Sequence, residues 1–140
     1  MVRCFNCQIK ISLSESVCPH CGRVPWDGAV DIFASGDKVL LRYNGTEKDV
    51  CVPDGIVTIG YMAFEDTCVR SVVIPEGVLK IEEAAFYSCE SLNNVIFPQS
   101  IKYIGKNAFS DCIHLTDVIV PKTCKIAKGA FPDSVRIVRQ

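Results

Sequence analysis

The chain has 140 residues and a mass of 15.4 kDa, which is enough for one modest domain with a small appendage and excludes a multidomain enzyme. Hydrophobic residues make up 49% of the chain and charged residues 22%, proportions that are typical of a folded globular protein. Fifteen basic residues against 16 acidic residues leave a formal charge of −1, which lacks the basic excess expected of a nucleic-acid-binding protein.

Cysteine usage and the N-terminal residues bear on the compartment. Nine cysteines are present, and an odd number does not fit a disulfide framework. No apolar run reaches the roughly 18 residues of a membrane span, and the polar stretch after Met1 lacks the apolar core of a signal peptide. We therefore expect a cytoplasmic protein, with an extracellular location the less favoured alternative.

The N-terminal segment carries two C-x2-C pairs separated by ten residues. Two such turns can converge four thiolates on one ion, in the tetrahedral geometry that Zn²⁺ prefers. Residues 8–14 alternate polar and apolar side chains, which predicts a short hairpin between the pairs. The predicted ligands of one zinc ion per chain are Cys4, Cys7, Cys18 and Cys21.

Two other interpretations of these cysteines remain open. A thioredoxin-type redox pair needs a βαβ context, which this segment lacks, and has no use for a second pair. Iron in a rubredoxin-like site also suits four thiolates, but the spacer is short and aromatic packing residues are missing. Zinc is favoured, and its role is structural because a segment of this size cannot bury a self-sufficient core. Residues 4–22 resemble the minimal zinc ribbon at the N-terminus of many bacterial proteins.

The rest of the chain is an internal repeat with a period of 22 to 23 residues. Four prolines mark the units, and an apolar triplet that predicts a β-strand precedes each one. In step with the prolines run an isoleucine and an Ala-Phe pair. A unit of this length cannot bury its own apolar face, so the units must stack into a solenoid. The prolines are Pro53, Pro75, Pro98 and Pro121.

The repeat motif, V-x-I-P-x-G-V-x-x-I-x-x-x-A-F-x-x-C-x-x-L, resembles the BspA-type leucine-rich repeat over residues 49–138. This resemblance implies bacterial origin and contacts with proteins or host surfaces. We expect a mainly β fold, in which a short leucine-rich-repeat solenoid of about four rungs (residues 27–140) follows a small zinc ribbon (residues 1–26). The phenylalanines are expected to form a ladder through the core, and Cys68, Cys89 and Cys112 to be small buried side chains.

The N-terminal end of the solenoid needs a cap. Residues 38–43 and 46–52 alternate in the manner of strands and flank Asn44-Gly45, which favours a type I′ turn. We expect this hairpin to cover the open end. Residues 29–33 are a candidate for one more strand, and Trp26 lies in the joint between the two modules.

No catalytic constellation is evident in the sequence. His20 and His114 are the only histidines and lie far apart, and no glycine-rich phosphate loop is present, so an enzyme is not expected. Alternation along the strands instead places an apolar column on the outside: Cys51, Val73, Ile96 and Ile119, with Arg136 at its end. Beside it lies a polar rim of Asp49, Ser71, Asn94, Asp117 and Ser134.

These features predict a non-enzymatic protein-interaction module with a structural zinc ribbon. Its candidate contact residues are Val73, Ile96 and Ile119, and the partner is a protein of unknown identity, with self-association one option. A purely structural interpretation is that β-branched residues here stabilise neighbouring strands. The alternative function is a nucleic-acid or transcription accessory protein acting through the ribbon. The near-zero charge of the zinc-loaded ribbon, in which a net +2 from side chains meets −2 from the metal centre, disfavours it.

Overall fold

The computed structural model describes residues 2–3, 10–11, 30–33, 39–43, 48–52 and 55–140. The four predicted zinc ligands Cys4, Cys7, Cys18 and Cys21 lie outside the described residues, as do Trp26 and the Asn44-Gly45 turn. The assignments made for them therefore stay predictions.

The described part of the chain consists of strands and turns, without a helix. Most strands are short, with two to five residues each. They are β1 (Val2–Arg3), β2 (Lys10–Ile11), β3 (Val30–Phe33), β4 (Val39–Tyr43), β5 (Asp49–Cys51), β6 (Thr58–Ile59), β7 (Ser71–Val73), β8 (Lys80–Ile81), β9 (Asn94–Ile96), β10 (Tyr103–Ile104), β11 (Asp117–Val120), β12 (Lys125–Ile126) and β13 (Arg136–Arg139).

Each repeat contributes one strand to each of two faces, which confirms the predicted solenoid. One face is a continuous sheet with the strand order β12-β10-β8-β6-β4-β3. The other face is formed by the sheet β5-β7-β9 and the pair β11-β13. Neighbouring rungs pair in parallel and in register, for example Val72 with Val95 and Ile59 with Ile81. Equivalent side chains of successive repeats therefore form straight columns.

The predicted cap hairpin is wrong in its partners. Strand β4 pairs with β3 in antiparallel fashion and with β6 in parallel, whereas β5 pairs with β7 on the other face. β4 and β5 thus form the first rung, and the β3-β4 hairpin adds the outermost strand, which confirms a strand at residues 30–33. The Asn-Gly sequence favours a turn only through local backbone preference. The ring of Tyr43, by contrast, is buried by stacking on Phe64, with 5.2 Å between the centroids. That contact requires the segment to join the stack.

A column of stacked aromatic rings runs through the core. Phe64, Phe86, Phe109 and Phe131 follow one another with centroid distances of 4.7, 4.8 and 4.9 Å and nearly parallel planes. Backbone hydrogen bonds next to the rings join successive rungs. The N–H groups of Phe64, Phe86 and Phe109 each donate to the alanine carbonyl of the next rung at 2.7 Å. The predicted aromatic ladder is confirmed.

The turn around each Ala-Phe pair has an unusual backbone. In three units it is bracketed by two non-glycine residues with φ between 56° and 61°, a region that L-residues visit at a cost. The pairs are Met62 and Asp66, Ala84 and Ser88, and Asn107 and Asp111. In the last unit Gly129, at φ 74°, occupies the first of these positions. The repeat thus accepts local strain to aim every phenylalanine inward.

Two cysteines line the core beside the ladder. Cys89 and Cys112 are fully buried, and their thiols donate to the carbonyl oxygens of Phe64 and Phe86 at 2.9 and 3.2 Å. The pKa of the Cys112 thiol is raised far above its usual range, mainly by a hydrogen bond with Cys89 and secondly by burial. Cys112 is therefore a protonated core group and not a nucleophile.

Cys68, by contrast, is exposed, so its assignment to the core is wrong. Its unit is one residue short, and Thr67 occupies the turn position that Cys89 and Cys112 occupy in their own units. The Thr67 N–H donates to Phe64 O at 3.2 Å, as the Cys89 N–H donates to Phe86 O at 3.3 Å. The Thr67 hydroxyl also bonds to Phe64 O at 2.9 Å.

Truncation of an inner ring of the ladder should remove much of the stability. Phe86 and Phe109 are fully buried, with a stacked ring on either side. We expect Phe86→Ala or Phe109→Ala to lower the free energy of unfolding by about 3 to 5 kcal/mol, through lost burial and the cavity left behind. Denaturant unfolding measures this, with Tyr61→Ala, at an exposed ring, as the control. A loss below about 1 kcal/mol would contradict the ladder.

The cysteines should differ sharply in reactivity. In the native protein we expect an alkylating reagent to modify Cys68 quickly, and Cys89 and Cys112 more slowly by about a hundredfold or more, because the buried thiols react only when the structure opens. Peptide mass spectrometry after timed labelling measures the three rates. In denaturant the rates should converge, and equal native rates for Cys68 and Cys89 would show that the thiol column is not core.

Candidate interaction face

The face built on β5, β7, β9, β11 and β13 carries an apolar strip on its surface. Val73, Ile96 and Ile119 are 36%, 51% and 52% exposed, while Val72, Val95 and Val118, one residue earlier in each strand, are buried. This is the alternation that the sequence predicted. We call the column of Cys51, Val73, Ile96, Ile119 and Val138 the apolar strip.

The C-terminal end of the strip differs from the prediction by two residues. In the β11-β13 register Ile119 pairs with Val138, and Asp117 pairs with Arg136. Arg136 therefore ends the polar row, where Ser134 was expected, and the half-buried Val138 ends the strip. The last unit is shorter than the others, so the repeat period does not fix the position of its strand, which only the register with β11 determines.

A groove opens along the strip between β9 and β11. On the N-terminal side the ladder is intact, with Ile74 N–H donating to Ile96 O at 2.9 Å. Among the described residues no backbone hydrogen bond joins β9 to β11. The groove has a volume of about 480 Å³, with apolar walls from Ile96, Ile119 and Val138.

The side chain behind the groove accounts for the opening. Val52, Ile74 and Val120 are the inward residues that end the other strands of this face, and the equivalent residue after β9 is Phe97. Its ring packs edge-on against Phe109 and Phe131, with centroid distances of 5.8 and 6.3 Å. A phenyl ring needs more room than an aliphatic side chain, so the two strands are held apart at this rung.

The polar row beside the strip has opposite charges at its two ends. At the N-terminal end Asp49 accepts hydrogen bonds from Arg70 Nη2 at 3.0 Å and Ser71 Oγ at 2.8 Å. These bonds, that from Arg70 first, hold the pKa of the Asp49 carboxyl below its usual range, so it is ionised at neutral pH. At the other end the exposed Arg136 makes no ion pair within the described part of the chain.

A second polar row, formed by the residues after Pro75, Pro98 and Pro121, flanks the strip on its other side. Glu76 accepts from the backbone N–H groups of Gln99 and Ser100 at 2.7 and 3.1 Å. Lys122, the equivalent residue in the last unit, is exposed. From the N-terminal to the C-terminal rungs this row therefore reads acid, amide, base: Glu76, Gln99 and Lys122.

Groups suited to catalysis or metal binding do not converge in residues 55–140. His114 is exposed and its Nδ1 lies 2.6 Å from Glu90 O. No cluster of three or more histidine, cysteine or carboxylate side chains is placed to hold a metal ion among the residues that the structure describes. Within the same residues there is no helix of the length and hydrophobicity needed to span a bilayer.

Solved structures with the same fold come from several bacteria. A leucine-rich cell surface protein from Faecalibacterium prausnitzii is 28% identical, with a TM-score of 0.67 over 75% of this chain and 29% of its own. A leucine-rich repeat protein from Bacteroides capillosus is 25% identical, with a TM-score of 0.66 over 77% of this chain and 91% of its own. The leucine-rich repeat protein of T. pallidum, at 23% identity, shares the fold with a TM-score of 0.66 over 79% of this chain and 62% of its own.

The chain thus spans less than a third of the Faecalibacterium structure, and none of the curated proteins matches it. The family profile of the BspA type leucine-rich repeat region matches residues 43–138, in six copies. This match takes in every strand from β5 to β12 together with most of the first and last rungs. The chain belongs to the BspA-type leucine-rich repeat family.

Proposed function

We propose that the chain is a non-enzymatic protein-interaction module that binds its partner through the apolar strip. The observation that carries this proposal is the position of Ile96 and Ile119, which are half exposed and line one groove. Stacked repeats of this kind are typical of protein-interaction modules. Exposed apolar strips with polar borders often mark protein contacts.

The size of the strip limits what it can contribute. Full burial of a valine or isoleucine side chain stabilises by about 1.5 to 3 kcal/mol, so covering Val73, Ile96 and Ile119, each already about half buried, adds roughly 2 to 4 kcal/mol. That is an anchor and not a whole interface. The partner must therefore also contact the two polar rows.

The N-terminal segment is proposed to be a zinc ribbon with Cys4, Cys7, Cys18 and Cys21 as the ligands of one structural Zn²⁺. Its support is the cysteine spacing together with the antiparallel pairing of β1 with β2, in the register Val2↔Ile11. These two strands lie on either side of the segment that contains the first C-x2-C pair, whereas the hairpin expected between the two pairs stays a prediction. Zinc bound there would hold together a module too small to fold alone.

We place this module in the cytoplasm. The support is the chemistry of its thiols, since the described residues include an exposed free cysteine, Cys68, and the buried free cysteines Cys89, Cys112 and Cys124. Free thiols and a zinc-thiolate site both persist in a reducing compartment. The Faecalibacterium relative is a cell surface protein, so fractionation of the native host is the direct measurement.

The proposed zinc site can be tested on the purified protein. The purified protein should contain about one zinc ion per chain. Cys18→Ser should abolish zinc binding and unfold the ribbon, and should leave the repeats folded because the metal's binding energy is local. Elemental analysis and far-UV circular dichroism measure the two effects. Iron in place of zinc, or a folded ribbon without metal, would contradict the assignment.

A charge placed in the apolar strip tests whether the strip contacts the partner. Ile96→Lys should abolish capture of the binding partner from the native host, because a charge cannot be buried in an apolar contact. The melting temperature should change little, since the side chain points outward. Ile113→Lys is the matched control, because Ile113 is 67% exposed and is not part of the strip.

Quantitative mass spectrometry of cross-linked complexes compares the two variants with the wild type. The proposal predicts proteins that are captured by the wild type and by Ile113→Lys but lost from Ile96→Lys. If Ile96→Lys folds and retains every partner, the strip is only structural.

A further inference from the structure

We propose that the strip binds a second copy of this chain, with the order of the rungs reversed so that β9 of one copy faces β9 of the other. This inference rests on the proposed function, because it uses the same strip and names its occupant. The support is that each column on this face is complementary to itself when its order is reversed.

The geometry follows from symmetry. Two copies packed face to face about a two-fold axis parallel to the strands, and lying between the sheets, form an isologous interface. Each column of side chains then meets the same column of the other copy in reverse order. Such an interface is closed, so it gives a dimer and not a filament. Only a face whose columns are self-complementary in this sense can form it.

The apolar strip meets this condition. With the axis at the β9 rung, Ile96 faces Ile96 of the second copy, and Val73 faces Ile119 of the second copy. The groove between β9 and β11, which Ile96 and Ile119 line, then lies opposite the ridge formed by Val73 and Ile96 of the second copy. Apolar groups meet apolar groups along the whole strip.

The first polar row meets the condition through its charges. In reverse order Asn94 faces itself, Ser71 faces Asp117, and Asp49 faces Arg136 of the second copy. Arg136 makes no ion pair in the part of its own chain that the structure describes. Both oxygens of the ionised Asp49 already accept one hydrogen bond, from Arg70 and from Ser71, and each carboxylate oxygen has a second lone pair with which to accept from Arg136 of the second copy. No like charges meet along this row.

The second polar row repeats this order with other residues. Gln99 lies on the same rung as Asn94 and faces itself, while Glu76 faces Lys122 of the second copy. Both rows thus place a neutral amide at the axis and pair an acid on its N-terminal side with a base on its C-terminal side. Asp117, the acid on the C-terminal side of the first row, faces the neutral Ser71. The same rung is the centre of symmetry for both rows and for the strip.

The charge distribution of residues 55–140 favours the same orientation. Residues 55–97 contain two basic and six acidic side chains, whereas residues 98–140 contain seven basic and three acidic ones. These two halves are equal in length and carry net charges of −4 and +4, counted from the same sequence. Reversed packing brings the acidic half of each copy onto the basic half of the other. Packing with the rungs in the same order would bring like halves together.

The dimer should be weak. Five rungs spaced about 4.8 Å apart give a strip roughly 19 Å long and one side chain wide. Its area is therefore well below the roughly 800 Å² per partner of a standard interface. We therefore expect a dissociation constant of roughly 10 to 1,000 µM, which increases with salt because charged rims set the orientation.

Sedimentation equilibrium of the zinc-loaded full chain tests the occupant. The wild type and Ile113→Lys should dimerise alike, and Ile96→Lys should raise the dissociation constant by about a hundredfold or more, because the two copies of Ile96 face each other. Arg136→Glu, which would face Asp49, should raise it about tenfold at low salt. The variants should keep the melting temperature of the wild type, so that a change in the dissociation constant reports on the contact and not on folding.

Disulfide trapping tests the axis, in a Cys68→Ser background that removes the exposed native thiol. Ile96→Cys should form a covalent dimer on mild oxidation, because its partner is itself. Ile119→Cys alone should not, but a mixture of Ile119→Cys and Val73→Cys chains should form the mixed dimer. The background protein without a new cysteine is the control.

Three outcomes overturn the inference. A wild type that stays monomeric to millimolar concentration excludes a second copy as the partner. The proposed function would still stand in that case if Ile96→Lys abolishes the capture of a different protein. A dimer that Ile96→Lys leaves intact uses another face. A dimer that Ile119→Cys traps with itself has its axis on another rung, which excludes the reversed order centred on β9.

Discussion

The stack of aromatic rings is the contact on which the rest of the structure depends. Rings spaced 4.7 to 4.9 Å apart match the separation of hydrogen-bonded strands, so one side chain per repeat sets the rise of both sheets at once. Because the planes of the rings are almost parallel, each repeat adds little rotation to the next. The backbone tolerates left-handed residues such as Met62 and Ala84 to keep this alignment.

The stack of rings also determines how the outward side chains are arranged on the surface. When successive rungs are in register, every outward position becomes a straight column, and a column can carry a pattern that no single repeat contains. The acid, amide and base of Glu76, Gln99 and Lys122 form such a pattern. A repeat protein can therefore diversify its outward residues while the inward ones, which hold the register, stay almost constant.

Sequence periodicity predicted the interior well and the two ends poorly, for a physical reason. Every inner rung is held by a neighbour on each side, so the spacing of Phe86 and Phe109 was enough to place them in the ladder and to place Val73 and Ile96 outside it. At the ends the chain departs from the period. Tyr43 joins the stack despite a hairpin signal beside it. In the unit that is one residue short, the position of the core cysteines is held by Thr67 and not by Cys68. The strip ends at Val138 and not at Arg136. The groove was not foreseen, because it depends on how Phe97 packs in three dimensions.

The groove also bears on whether the apolar strip is only structural. Cross-strand stacking of β-branched side chains stabilises a sheet when the strands are paired. That explanation suits Val73, whose strand pairs on both sides. It suits Ile96 and Ile119 less well, because each has a paired neighbour on one side only. These two are the largest and most exposed side chains of the strip, and they stand where stacking contributes least. The proposed function accounts for their exposure as a contact with a partner protein.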